Sequence, residues 1–191
     1  PEMPLIVYLH GGSGKGDDLN KITDVDGFPK YLRDGTLGDV RAYVIIPQLP
    51  SSLRGWSNAD ASVVSLIRAV QSEFSLDPHN TSLTGHSMGG TGTWALGAAH
   101  PELFARIAPL SGSIDCTDKN IAKLKNLPIR AFVGSADTIV DPQSSKDMVE
   151  ALTQAGGNAA LTVLEGADHF AVPTLVYPDS TIGLIAWLIQ T

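Results

Sequence analysis

Six short, mostly apolar segments recur along the chain, at Leu5–His10, Arg41–Ile46, Thr81–Gly85, Ile107–Leu110, Ile129–Val133 and Ala160–Leu164. Each is too short for a helix of any stability and rich in branched or small apolar residues. Their nearly continuous apolar character predicts strands covered on both faces. Between them the period changes. Val63, Ile67, Val70 and Phe74 recur at three- and four-residue steps, predicting a helix over Asp60–Phe74 with Asn58 or Asp60 able to cap it. A second helix follows Ser87 and ends near His100, where Pro101 stops it. Pro142 opens a third that runs to about Ala155 and closes at Gly156-Gly157, and a last helix is expected from Asp179 through Leu188. Strands alternating with crossover helices define an α/β fold. About six strands form a mostly parallel sheet with helices on both faces, in one domain over residues 1–191.

One junction in this pattern carries chemistry. Gly85-His86-Ser87-Met88-Gly89 fits G-x-S-x-G, with a strand running into the serine and a helix leaving it. So sharp a turn leaves no room for bulky flanks, hence the two glycines, and it lifts the serine Oγ above the sheet edge. The Met88 N–H, at the start of the helix, is then a donor for a developing oxyanion. A neutral hydroxyl is a poor nucleophile, so Ser87 needs a base and a group to orient that base. In chain order these should be an acid and then a histidine, each after a later strand. The strand Ile129–Val133 leads into Gly134-Ser135-Ala136-Asp137, and Ala160–Leu164 leads into Glu165-Gly166-Ala167-Asp168-His169. Asp137 and His169 fill both places. Asp141 competes with Asp137, and Asp168 could pair locally with its neighbour. Of the other histidines, His79 sits in a polar turn, His100 at a helix end, His86 inside the elbow and His10 at the end of the first strand.

A second oxyanion donor is expected from the loop His10-Gly11-Gly12-Ser13-Gly14-Lys15-Gly16, with Gly12 the choice and Gly11 the alternative. A phosphate-binding loop fails in detail: Leu9 stands where its first glycine belongs, and Gly16 where Ser or Thr should follow Lys15. The acidic pairs Asp17-Asp18 and Asp24-x-Asp26-Gly27 lack the further ligands of a calcium loop and read as solvated acids.

Charge and cysteine content narrow the partners. Thirteen Lys and Arg against twenty Asp and Glu give a net charge of −7, which disfavours nucleic acid and anionic membrane surfaces. Cys116 is the only cysteine, so there is no intrachain disulfide and no Cys/His cluster for zinc. The expectation is a chain without cofactor or metal acting on a small molecule, in the cytoplasm as far as cysteine usage speaks.

The segments "YLHGGSGKGDD", "IIPQLP…GWS", "LTGHSMGGTGTWALGAAHPELFARIAPLSG", "GSADTIVDP" and "EGADHF" resemble the α/β-hydrolase superfamily over nearly the whole chain. The nearest branch is the small phospholipase/carboxylesterase group, which includes predicted peptidases and feruloyl-type esterases. The resemblance implies an α/β-hydrolase fold and an acyl-enzyme mechanism on Ser87 with His169 and Asp137, and Gly12 and Met88 as oxyanion donors. It also implies that Gln48 and Trp56 border the acyl pocket. Members of the family begin with one or two more strands, whereas four residues precede Leu5 here. The stretch 111–127 is short, which leaves no room for a large helical lid. The expected activity is therefore lidless hydrolysis of small or short-acyl esters. The alternatives are a peptidase or amidase with the same triad, and a non-catalytic relative that only binds a ligand.

Overall fold

A computed structural model describes residues 3–25 and 27–190, with the side chains of residues 24 and 25 left aside. All six expected strands form, as β1 (Leu5–Leu9), β2 (Tyr43–Ile45), β3 (Thr81–His86), β4 (Arg106–Leu110), β5 (Ile129–Gly134) and β6 (Ala159–Leu164). They make one parallel sheet in the order β2-β1-β3-β4-β5-β6. The helices are α1 (Asn20–Val25), α2 (Gly27–Arg33), α3 (Asp60–Glu73), α4 (Met88–Ala99), α5 (Asp118–Leu124), α6 (Pro142–Gln154), α7 (Ala171–Val176) and α8 (Leu184–Leu188).

Strand alternation sorts the core into two layers. Leu5, Val7, Leu9, Leu83, Ile107 and Ile129 pack with Val63, Ile67, Trp94, Leu124, Met148 and Leu152 of α3, α4, α5 and α6. Ile6, Tyr8, Ala108, Leu110 and Phe132 point the other way, onto Phe28 of α2, Val172 and Val176 of α7, and Leu184 and Leu188 of α8. Both faces are thus covered, at roughly 1.5–3 kcal/mol for each large apolar side chain removed from water. The chain moves outward from β1 to β2 and then crosses back to β3 on the other side of β1. Such a reversal opens a crevice at the carboxyl ends of the two diverging strands. The loop after β1 and the turn after β3 therefore face one another.

Three expectations are corrected. β2 and β6 are the edge strands, β2 partly covered throughout and β6 partly covered or exposed at every residue, so neither is buried on both faces as the four inner strands largely are. The last helix does not begin at Asp179: Gly183 adopts φ 63°, and only Leu184–Leu188 is helical beyond it. The Asp179 carboxylate instead accepts N–H bonds from Thr181 and Ile182 in the preceding turn. Neither Asn58 nor Asp60 caps α3; Asn58 Oδ1 accepts from the Gly55 N–H at 3.3 Å, and the Asp60 carboxylate binds His100 Nε2 at 2.8 Å. No helix among the described residues is long and apolar enough to cross a membrane.

Candidate active site

The turn after β3 is held by close backbone approach. A Cβ on Gly85 would lie 2.5 Å from the Leu9 carbonyl oxygen, and one on Gly89 would overlap that same carbonyl. Ser87 between them adopts φ 60° and ψ −120°, a conformation that L side chains avoid and that the neighbouring strands must hold in place. Its N–H donates to the Leu110 carbonyl at 3.0 Å, tying the turn to β4.

Ser87, His169 and Asp137 come together from three strand ends. The Ser87 hydroxyl is 2.7 Å from His169 Nε2, and His169 Nδ1 is 2.7 Å from Asp137 Oδ2. The His169 and Asp137 side chains are almost fully buried. The loops that carry them are joined: Ala136 N–H donates to the Ala167 carbonyl at 3.0 Å, and Gly166 N–H to Ser135 Oγ at 2.7 Å. Burial pushes the Asp137 carboxyl up. The N–H groups of Val140 and Ile139, each 2.9 Å from Oδ1, and the His169 imidazole outweigh it and hold the carboxyl below its usual range. Asp137 is thus an anion with its second oxygen aimed at an imidazole N–H. The two rival carboxylates are engaged elsewhere. Asp141 caps α6 through the Gln143 N–H, and Asp168 accepts from the N–H groups of Phe170 and Ala171.

The loop after β1 enters a short 3₁₀ turn over Gly12–Gly14. The buried His10 ring anchors it, bonding the Gly11 carbonyl at 2.6 Å through Nδ1 and accepting the Leu49 N–H at 2.9 Å through Nε2. Gly12 lines the same cavity as Ser87. Met88 is the first residue of α4, so its N–H has no intrahelical acceptor. Gln48 and Trp56 do not line this cavity, which corrects the expectation that they border the acyl pocket. Gln48 Nε2 donates to the carbonyls of Gly14 and Asp18, at 2.9 and 2.8 Å. Trp56 is buried against His10 and α4, with Nε1 donating to the His10 carbonyl at 3.0 Å. Both brace the loop from behind. Asp18 Oδ1 accepts the Asn20 N–H at 3.0 Å at the start of α1, and Asp26 of the other acidic pair lies outside the described residues.

The cavity has a volume of about 450 Å³. Its walls come largely from residues that sequence reasoning missed: Lys30 and Tyr31 of α2, Ile139 after Asp137, and Phe170, Pro173 and Thr174 around the start of α7. The adjacency of Ile139 and Phe170 to Asp137 and His169 is a signal that could have found them. Nothing in the pattern marks Lys30 or Tyr31. His86 was also passed over. It is buried, its Nε2 lies 2.8 Å from the His169 carbonyl oxygen, and its ring centre is 4.8 Å from that of His169. Burial first, and then the neighbouring His169, lower its pKa from the usual 6.5 to about 4. A second cavity of about 470 Å³, between α4 and α5, is lined by Thr91, Ser113, Lys119 and Lys123 and contains no nucleophile–base pair.

A parallel sheet with helices on both faces and a serine elbow at its centre is the α/β-hydrolase fold. Residues 62–170 match the family described as "Putative esterase", and the chain belongs to that esterase family. Among curated relatives it is 27% identical over 146 residues to the "Putative esterase NocK" of Nocardia uniformis subsp. tsuyamanensis, covering 71% of this chain and 40% of that protein. It is 30% identical over 149 residues to the "Putative carboxymethylenebutenolidase" of Salmonella typhimurium, covering 73% of this chain and 54% of the relative. A crystal structure of a thermostable esterase matches with a TM-score of 0.83 at 26% identity, over 99% of this chain and 55% of the other. The chain thus spans about half the length of the curated relatives it matches.

Proposed function

We propose that this protein hydrolyses carboxylic esters of short acyl chains through an acyl-enzyme on Ser87. The observation that carries the reading is the continuous contact from Ser87 Oγ to His169 Nε2 and from His169 Nδ1 to Asp137, each 2.7 Å, at the wall of an open cavity. Ser87 Oγ attacks the ester carbonyl while its proton passes to His169 Nε2. Asp137 holds the Nδ1–H tautomer and stabilises the imidazolium that forms. The N–H groups of Gly12 and Met88 receive the oxyanion; one such donor is worth about 10²–10³ in rate. When the tetrahedral species collapses, the C–O bond to the alcohol breaks and the alcohol leaves with the proton from His169. Water then attacks the acyl carbonyl and gives its proton to Nε2. The bond to Oγ breaks, the acid departs, and Oγ recovers its proton from His169.

The preference for short acyl groups is supported by the walls. Tyr31, Ile139, Phe170 and Pro173 give the cavity an apolar lining, and the connection between β4 and β5 holds only the seven-residue helix α5, which covers no part of it. The substrate is a small molecule in this reading, and no cofactor enters any step. Hydrolysis of p-nitrophenyl acetate, butyrate and octanoate by wild type and Ser87→Ala tests it. The two shorter esters should turn over faster than the octanoate, and Ser87→Ala should abolish turnover of all three. Turnover that persists in Ser87→Ala would overturn the assignment of the nucleophile.

A further inference from the structure

We infer that His86, the variable residue of the elbow, is a positioning residue that holds the base His169 in line with Ser87 and Asp137. The inference rests on the catalytic reading of those three residues. The His169 carbonyl can only accept, so the 2.8 Å contact requires the proton on His86 Nε2, and His86 is the donor. This bond runs across the carboxyl edge of the sheet, from the last residue of β3 to the loop between β6 and α7. It fixes the backbone carbonyl of His169. The residues before His169 are tied to the β5 loop through Ala167 and Gly166, and those after it to Asp168. On the solvent side the loop is open, because Phe170 is 67% exposed. His86 is therefore the inner clamp. Because it adjoins Ser87 in sequence, the clamp and the nucleophile move as one body, and the Ser87–His169 distance is set from both ends.

The chemistry explains why a histidine suits this place. The ring packs tilted at 41° against the His169 ring and shields it from water, as an aromatic would. It also supplies the N–H that an aromatic hydrocarbon lacks. Burial and the nearby base keep it uncharged at neutral pH, so it does not repel the imidazolium that His169 becomes during turnover.

Two substitutions separate the bond from the packing. His86→Phe keeps a ring and removes the donor, whereas Gln carries an N–H₂ at a similar reach. His86→Phe should lower kcat roughly 10- to 100-fold, the scale of loss from misplacing a catalytic group, with KM within about twofold. It should also broaden or shift the downfield proton resonance of the His169 Nδ1–H that bonds Asp137. His86→Gln should recover most of the rate and the resonance. A folded His86→Phe with wild-type kcat and an unmoved resonance would overturn the inference, as would equal losses in both variants. ¹⁵N NMR of the wild-type imidazoles supplies an arm that does not depend on a variant folding. A His86 protonated at Nε2 alone is expected near neutral pH, and a proton on Nδ1 alone would refute the donor role. If Ser87→Ala retains turnover, the catalytic reading fails by a separate route, which leaves the tautomer result standing.

Discussion

A buried neutral histidine makes folding sensitive to mild acid, and the sensitivity can be worked out for His86. In the folded protein it takes up a proton only near pH 4, against 6.5 ordinarily. Between those values the unfolded chain binds the proton and the folded one does not, so stability rises with pH across the window and is lost on acidification. At about 1.4 kcal/mol per pH unit, this one residue removes roughly 2–3 kcal/mol by pH 4.5, a large share of the typical stability of a domain. The groups that face it are His169 and Asp137. The Asp137 carboxyl lies below its ordinary 3.8, so its contribution is present above that pH and is lost as the pH falls through the lower folded value, beneath the His86 window. Urea unfolding of wild type and His86→Gln at pH 7.5 and pH 4.5 reads the difference directly, because every other titrating group is common to both. Wild type should lose about 2–3 kcal/mol more than the variant between the two conditions. Parallel losses in the two proteins would mean that His86 does not stay neutral in the folded state across this window.

Three further substitutions probe the elbow and its supports. Asp137→Asn keeps the shape but removes the anion that fixes the His169 tautomer, so kcat on p-nitrophenyl butyrate should fall about 10³- to 10⁴-fold; a loss under about tenfold would contradict the role. Gly89→Ala places a Cβ on the Leu9 carbonyl and should destabilise the fold by about 3 kcal/mol or more in urea unfolding, while a neutral result would mean the strands can part there. The Ser111 hydroxyl is buried with no hydrogen-bond partner among the described residues, so Ser111→Ala should raise stability by about 1 kcal/mol, and a clear loss would mean the hydroxyl is engaged.

The strands were legible because a sheet covered on both faces must be written in short apolar runs. The serine turn was legible because only glycine fits beside the Leu9 carbonyl. Asp137 and His169 could be located because a strand's carboxyl end is where this chemistry can be reached, and the structure sets them there within hydrogen-bond distance of each other. The pair α1 and α2 escaped notice because six- and seven-residue helices carry too few turns for a period, and Gly27 and Pro29 read as loop. The cavity wall that α2 builds was missed with it. Gln48 and Trp56 were misplaced for a different reason. They do lie close to the site in the fold, but their polar atoms turn toward the backbone of the Gly-rich loop rather than into the cavity. His86 occupies a position the motif leaves free, so its role depends on a carbonyl 83 residues away that no local pattern reveals.

Hydrolysis through an acyl-enzyme requires a covalent intermediate on Ser87. Incubation of the protein with a fluorophosphonate, followed by intact-mass and peptide mass spectrometry, tests it most directly. One adduct per chain is expected, on the peptide carrying Ser87, absent from Ser87→Ala and slowed strongly in His169→Ala. An active wild-type enzyme that takes up no label, or takes it up at another residue, would contradict it.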